Sequence, residues 1–221
     1  MEKPSLPRIA YNSLIDDIVD GKLKLGQPVS QIDLTKMLNM SRTPVREALF
    51  ALERDGILEK NGRKYSVCYI SKSEVRELYE ARAELEAVTT KLCIENMTPE
   101  LRRNITNLMR RIKNETFSPH MDPYTLADLN GRIHMQIASG SNNRYLGKFL
   151  REIVLKLKIV RVAILNSAER SIAEYEEHAN LVERLLEGDR KGAVEAMLAH
   201  RGQVAKFTEE KILNRLFYDD E

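Results

Sequence analysis

The chain has 221 residues, with 35 Lys and Arg against 33 Asp and Glu, so the formal net charge is only +2 although 31% of residues are charged. That balance excludes a polybasic tail protein, and 43% hydrophobic content is enough to bury a core, which excludes a disordered chain. Aromatics make up 6% and Trp is absent, while Leu, Glu, Lys, Arg and Ala recur, so a mainly α protein is expected.

The segment Met1 to Arg8 contains two prolines and no apolar core of a signal sequence. The most apolar later stretch, Ile153 to Leu165, is interrupted by Lys156, Lys158 and Arg161, so no membrane span is expected. Cys68 and Cys93 lie far apart without a Cys-x-x-Cys spacing, which argues against a zinc ribbon or a disulfide framework. A cytoplasmic location follows as an expectation.

Ile9, Leu14, Ile15, Ile18 and Val19 recur at helical spacing, and Gly21 is the expected stop. Lys22 to Val29, with Gly26 and Pro28, reads as a loop. Ser30 caps a short helix carrying Ile32, Leu34, Met37 and Leu38, and Asn39-Met40 forms a turn. A third helix starts at Ser41 with proline in its first turn; Val45, Ala48, Leu49 and Leu52 form its buried stripe, and Gly56 ends it. Asn61-Gly62 then separates two extended runs, Ile57 to Lys60 and Arg63 to Ile70, a hairpin signal. Three helices followed by a hairpin predict an N-terminal winged helix-turn-helix over residues 1–72; a small helical domain with an incidental hairpin is the alternative. Residues 1–72 hold 12 Lys and Arg against 9 Asp and Glu, a net of +3, and the remainder holds 23 against 24.

The second helix of a helix-turn-helix presents its N-terminal residues to base edges, so polar and basic side chains should gather there. Ser41, Arg42, Thr43 and Arg46 do so, and Arg42 and Arg46, four residues apart, share a face opposite the apolar stripe. Arg can bond guanine O6 and N7 at once, which is worth roughly 1–3 kcal/mol of discrimination. Arg63 and Lys64 on the hairpin would add phosphate or groove contacts. A solvated charged face is the competing explanation of the same residues.

A linker is expected at Ile70 to Ser73, where Ser71 and Ser73 are both candidate caps. From there the helices are expected at about 74–96, 101–113, 124–139, 143–166, 168–187 and 190–216, separated by Pro99, Pro119, Pro123, Gly140 and Gly188. Residues 73–221 therefore predict a C-terminal all-α antiparallel helical bundle, an architecture whose interior suits a ligand or metal. Asn130 and His134 share a helix face, and His178 and His200 lie on helices that an intervening Gly188 makes antiparallel. Scattered surface or capping histidines are the plainer alternative, and His120 in a Pro-flanked loop is read as exposed. No HExxH or Glu-x-x-His pair is present.

The run Ser41-Arg42-Thr43-Pro44-Val45-Arg46-Glu47-Ala48-Leu49, with Leu52-Glu53-Arg54-Asp55-Gly56-Ile57-Leu58, resembles the recognition-helix signature of GntR-type bacterial transcription regulators. Gly21, Gly26 and Ser30 fit the same pattern, while Lys64 stands where the family's wing usually has Gly. Arg82-Ala-Glu-Leu-Glu86, Asn130-Gly-Arg-Ile-His134, Asn143, Glu177-His178 and Met197-Leu-Ala-His200 resemble the FCD subgroup, in its metal-binding members. The resemblance implies a homodimer on a palindromic DNA operator, acting as a repressor and controlled by a small carboxylate effector beside a divalent metal. It assigns His134, His178 and His200 to the family's three His ligands and Asn130 to the place of its Asp, with Zn²⁺, or Ni²⁺ or Mn²⁺, as the ion and Arg82 and Asn143 toward the effector. A neutral amide in place of a carboxylate leaves the ion's full charge available to an anion. Arg82 serves equally as half of a helix–helix salt bridge. A metal-free bundle used only for dimerisation is one rival; a metal-dependent hydrolase is another, although no general base accompanies the histidines.

Overall fold

The computed structural model describes residues 5–20, 22–62, 64–158, 160 and 168–213. Helix α1 (Leu6–Val19) starts with Pro7 in its first turn and buries Ala10, Leu14, Ile15, Ile18 and Val19. Gly21, its expected stop, lies outside the described residues. Helix α2 (Gln31–Met37) is capped by Ser30, whose hydroxyl accepts the Asp33 N–H at 3.2 Å. Helix α3 (Arg42–Arg54) buries Pro44, Val45, Ala48, Leu49 and Leu52. Gln31 ties the pair together, its Nε2 donating to the Arg42 carbonyl at 3.1 Å. Gly56 has φ +68°, and a Cβ there would sit 3.0 Å from Leu155 Cγ, so both the turn and the packing call for glycine.

Strands β2 (Leu58–Asn61) and β3 (Lys64–Val67) pair antiparallel from Leu58 with Val67 to Asn61 with Lys64. Asn61 therefore closes the ladder, and the turn falls one residue later than the Asn-Gly signal suggests. Pro28–Val29, expected as loop, is a short strand β1 on the other edge of β3. Two residues led by a proline give no period to read, and β1 forms because its edge position leaves the missing proline N–H unneeded.

Helix α4 (Lys72–Glu95) begins where Ser71 accepts the Glu74 N–H at 3.1 Å, so of the two candidate serines Ser71 is the cap. It is followed by α5 (Pro99–Thr116), α6 (Pro123–Gly140), α7 (Arg144–Lys156), α8 (Ala168–Glu187) and α9 (Arg190–Phe207), which runs into a π turn at Thr208–Ile212. The expected helix ends near 166 and 216 lie outside the described residues. Helix α9 packs on α4 and α8, α6 packs on α4, α5 and α7, and α5 packs on α8. No helix of the described residues is long and apolar enough to cross a membrane.

Two apolar clusters hold the chain together. One joins the buried faces of α1, α3 and the strands to Ile153, Leu157, Val160, Val204 and Leu213, so the N-terminal unit shares a core with one end of the bundle. The other fills the far half of the bundle around Ile105, Leu126, Ile133, Ile137, Leu181 and Met197. Along α4, the buried positions run from Val75 and Tyr79 in the first cluster, through Arg82, Glu86, Thr89 and Thr90, to Cys93 in the second. A layer of buried polar side chains thus separates two hydrophobic ones.

Candidate functional site

Four helices supply that polar layer. Helix α4 contributes Arg82 and Glu86, α6 contributes Asn130 and His134, α8 contributes Arg170, Glu174 and His178, and α9 contributes His200 and Arg201, all buried. The one-turn spacing of Asn130 and His134 puts both on the buried side of α6, and the antiparallel turn at Gly188 brings His178 level with His200.

The three imidazoles converge through the same ring atom. His134 Nε2 lies 3.0 Å from His178 Nε2, which lies 3.1 Å from His200 Nε2. The His134 and His200 rings are stacked, with planes 11° apart and centroids 5.2 Å apart. On its far side, His200 Nδ1 meets Glu177 Oε2 at 2.6 Å, and Arg170 grips the same carboxylate at 2.7 and 2.8 Å. A carboxylate cannot donate, so Nδ1 of His200 carries the proton and its Nε2 keeps a lone pair aimed at the cluster. His134 Nδ1 faces Glu86 Oε1 at 3.4 Å in a looser version of the same arrangement.

Arg201 enters the middle of this cluster. Its Nη2 donates to His134 Nε2 at 2.6 Å and also contacts His200 Nε2, while its Nε is ion-paired with Glu86 Oε2 at 2.9 Å. Arg82 Nε donates to Glu86 Oε1 at 3.0 Å, so the Arg82 salt bridge runs along α4 rather than between helices. Burial, and then Arg201, hold His134 well below the usual imidazole range; burial, then His200 and Arg201, do the same for His178. Burial and the neighbouring Arg82 lower Arg201 to about 10, so its guanidinium is still charged at neutral pH. Three arginines, Arg82, Arg170 and Arg201, are matched in number by Glu86, Glu174 and Glu177.

The residues fit a divalent cation. His134, His178 and His200 form a group whose candidate ligand atoms all lie within 4.8 Å of one another, and His200 has the outer carboxylate partner common behind metal-bound imidazoles. Both amide atoms of Asn130, 1% exposed, lack a hydrogen-bond partner among the described residues, as does Nδ1 of His178. Such orphaned buried polar atoms are costly unless a ligand uses them. Asn143 does not join the cluster: it is exposed, and its Oδ1 accepts the Tyr145 and Leu146 N–H groups to cap α7. The residue types that make an Asn a ligand also make it a cap, and here the helix start takes it. His120 is exposed in its loop.

In the N-terminal unit, Ser41, Arg42, Thr43 and Arg46 are exposed at the start of α3, with Val45 and Leu49 turned inward. Lys64 is exposed at the first residue of β3, next to the hairpin turn; Arg63 lies outside the described residues. Lys60 lies 5.7 Å from the Phe50 ring centroid and 5.8 Å from that of Tyr65, linking the hairpin to the exposed face of α3.

Sequence reasoning did not single out Arg201, Arg170 or Glu174. The spacing of Arg170, Glu174, Glu177 and His178 along one face of α8 was a usable signal. Arg201 had none, because it adjoins His200 in sequence and matters only because α9 is buried against several helices at once.

Comparison with known proteins finds two matching family descriptions. The FCD domain matches residues 77–203, and the family described as bacterial regulatory proteins, gntR family, matches residues 8–65. The chain is 27% identical over 195 residues to the uncharacterized HTH-type transcriptional regulator YdhC of Bacillus subtilis, covering 86% of this chain and 85% of the relative. It is 26% identical over 158 residues to the HTH-type transcriptional regulator McbR of Escherichia coli, covering 71% of each. The solved structure of E. coli McbR/YncC superposes with a TM-score of 0.66 at 22% identity, covering 95% of this chain and 99% of that one, which shows a shared fold.

Proposed function

Because the chain belongs to the GntR family of bacterial regulatory proteins and carries its FCD domain, we propose that it is a repressor whose operator affinity is set by a small carboxylate bound beside a divalent metal. It is a DNA-binding transcription regulator and not an enzyme, as its named relatives are transcriptional regulators. The observation that carries the finer statement is the convergence of three Nε2 atoms, with His200 oriented by Glu177.

His134, His178 and His200, with the Asn130 amide oxygen, would hold the ion, with Zn²⁺ favoured by an imidazole-rich set and Ni²⁺ or Mn²⁺ as alternatives. When bound, the ion supplies a positive centre for carboxylate oxygens. The numerically matched arginines and glutamates of the layer leave that added charge uncompensated, which favours an anionic partner. Arg82, in the same layer, is the arginine assigned to the carboxylate. At the other end of the molecule, the exposed Arg42, Thr43 and Arg46, the cap Ser41 and the hairpin's Arg63 and Lys64 would meet the DNA. Two copies related by a twofold axis would read the half-sites of a palindrome.

Metal analysis of purified protein tests the assignment. Wild-type chain is expected to retain about one divalent ion per protomer and His178→Ala far less; absence of metal from wild-type protein after loading with Zn²⁺, Ni²⁺ and Mn²⁺ would contradict it.

A further inference from the structure

Nε2 of His178 lies 3.0 Å from that of His134 and 3.1 Å from that of His200, and the lone pairs among these atoms repel unless something positive stands among them. Here a guanidinium does: Arg201 Nη2 reaches both His134 Nε2 and His200 Nε2. Its Nε is paired with Glu86 Oε2 at 2.9 Å. Arg201 is 4% exposed, so this is a buried cation held by designated partners and not a solvated side chain that happens to point inward.

From this arrangement we infer that Arg201 is the resident cation of the three-histidine cluster and competes with divalent metal for it. The inference rests on the metal site proposed above and concerns what sets its affinity. A guanidinium that donates to Nε2 of His134 and His200 uses the lone pairs that a metal would need, so the two cations exclude each other. The structure also offers the displaced side chain somewhere to go. Arg201 lines a cleft of about 440 Å³ between α4 and the end of α9, shared with Tyr79, Glu80, Thr208 and Glu209. Glu80 and Glu209 line it together with Arg76 and Lys206, Glu209 being paired with Arg76, and Glu86 keeps its hold on the arginine from the α4 side. Metal entry is then an exchange of cations within one buried layer, with Arg201 moving toward the α4–α9 cleft as the imidazoles are released.

The exchange has a consequence for the apparent affinity. A site already filled by a tethered cation binds metal more weakly than its ligand set alone would, because the arginine must first be displaced and then remains nearby as a repelling charge. Removing the guanidinium while keeping the volume should therefore tighten metal binding. An arginine that merely oriented the histidines would act in the opposite sense, since its loss would loosen them.

Zinc affinity of the full-length chain, measured by competition with a fluorescent chelator, separates these cases. Arg201→Met is expected to bind Zn²⁺ at least about tenfold more tightly than wild type, and its melting temperature should rise more on zinc addition. Arg201→Lys, which keeps the charge and serves if the methionine variant does not fold, is expected to stay within about threefold of wild type. Equal or weaker zinc binding by Arg201→Met, with wild type binding zinc, overturns the competition while leaving the metal site in place. No zinc binding by wild type or either variant overturns both.

Discussion

At His134 and His178 burial opposes protonation, and this has a measurable cost at acid pH. Both imidazoles are held well below their ordinary value of 6.5 in the fold. The unfolded chain therefore binds more protons below that pH, and stability must fall as pH falls through it. For chelator-treated protein the slope approaches about 2.7 kcal/mol per pH unit when both residues contribute. Urea midpoints compared at pH 7.5 and 5.5 should show the loss, which His178→Gln should roughly halve; a flat profile would mean that the histidines are solvated. At this scale the sequence was partly legible. His134, His178 and His200 could be grouped by helix phase and family resemblance, because a ligand needs a fixed side-chain type at a fixed turn. Arg201 could not, since a charged residue in a helix reads as surface until its neighbours are known.

Among the elements, α6 connects the two ends of the molecule. It carries Asn130 and His134 in the polar layer, and near its start Tyr124 reaches α1, its hydroxyl lying 2.8 Å from the Asn12 carbonyl and 2.6 Å from Asp16 Oδ1. Burial and the Asp16 carboxylate push the phenol above its ordinary range, so it stays a donor. Tyr124 thus joins the helix that carries Asn130 and His134 directly to the first helix of the N-terminal unit. Tyr124→Phe is expected to cost about 1–2 kcal/mol in urea unfolding while leaving zinc affinity unchanged; an unaltered midpoint would show that the contact carries no load. The elements themselves were largely readable, because caps such as Ser30 and Ser71 and breakers such as Gly56 and Gly188 act within a few residues. Strand β1 escaped because two residues carry no period, and it exists only by virtue of its pairing with β3.

For the whole molecule, the near-neutral charge noted at the outset divides between a basic reading unit and a slightly acidic bundle. DNA affinity then depends on a few placed contacts. Arg46→Ala is expected to weaken specific binding by about 1–3 kcal/mol and non-specific binding much less; equal loss on both DNAs would make Arg46 a phosphate contact. The shared apolar core between α1, α3 and the end of the bundle means that the reading unit is not a freely tethered head. Its placement depends on the packing of α7 and α9; a linker at Ile70 to Ser73 could be expected from the sequence, but that common core could not, because it arises from residues more than a hundred positions apart. In the proposed dimer, an effector that prefers one packing would change the spacing of two DNA-reading units, and a coupling of roughly 1–3 kcal/mol would alter affinity by about 5–150-fold.

The most direct measurement is fluorescence anisotropy of zinc-loaded protein on DNA from its own upstream region, across a panel of small mono- and dicarboxylates, for wild type and His178→Ala. Wild type is expected to lose at least about fivefold in affinity with one or more members of the panel, and His178→Ala to lose that response while still binding DNA. Unchanged wild-type affinity across the panel, or the same response in His178→Ala, would contradict control through the histidine cluster.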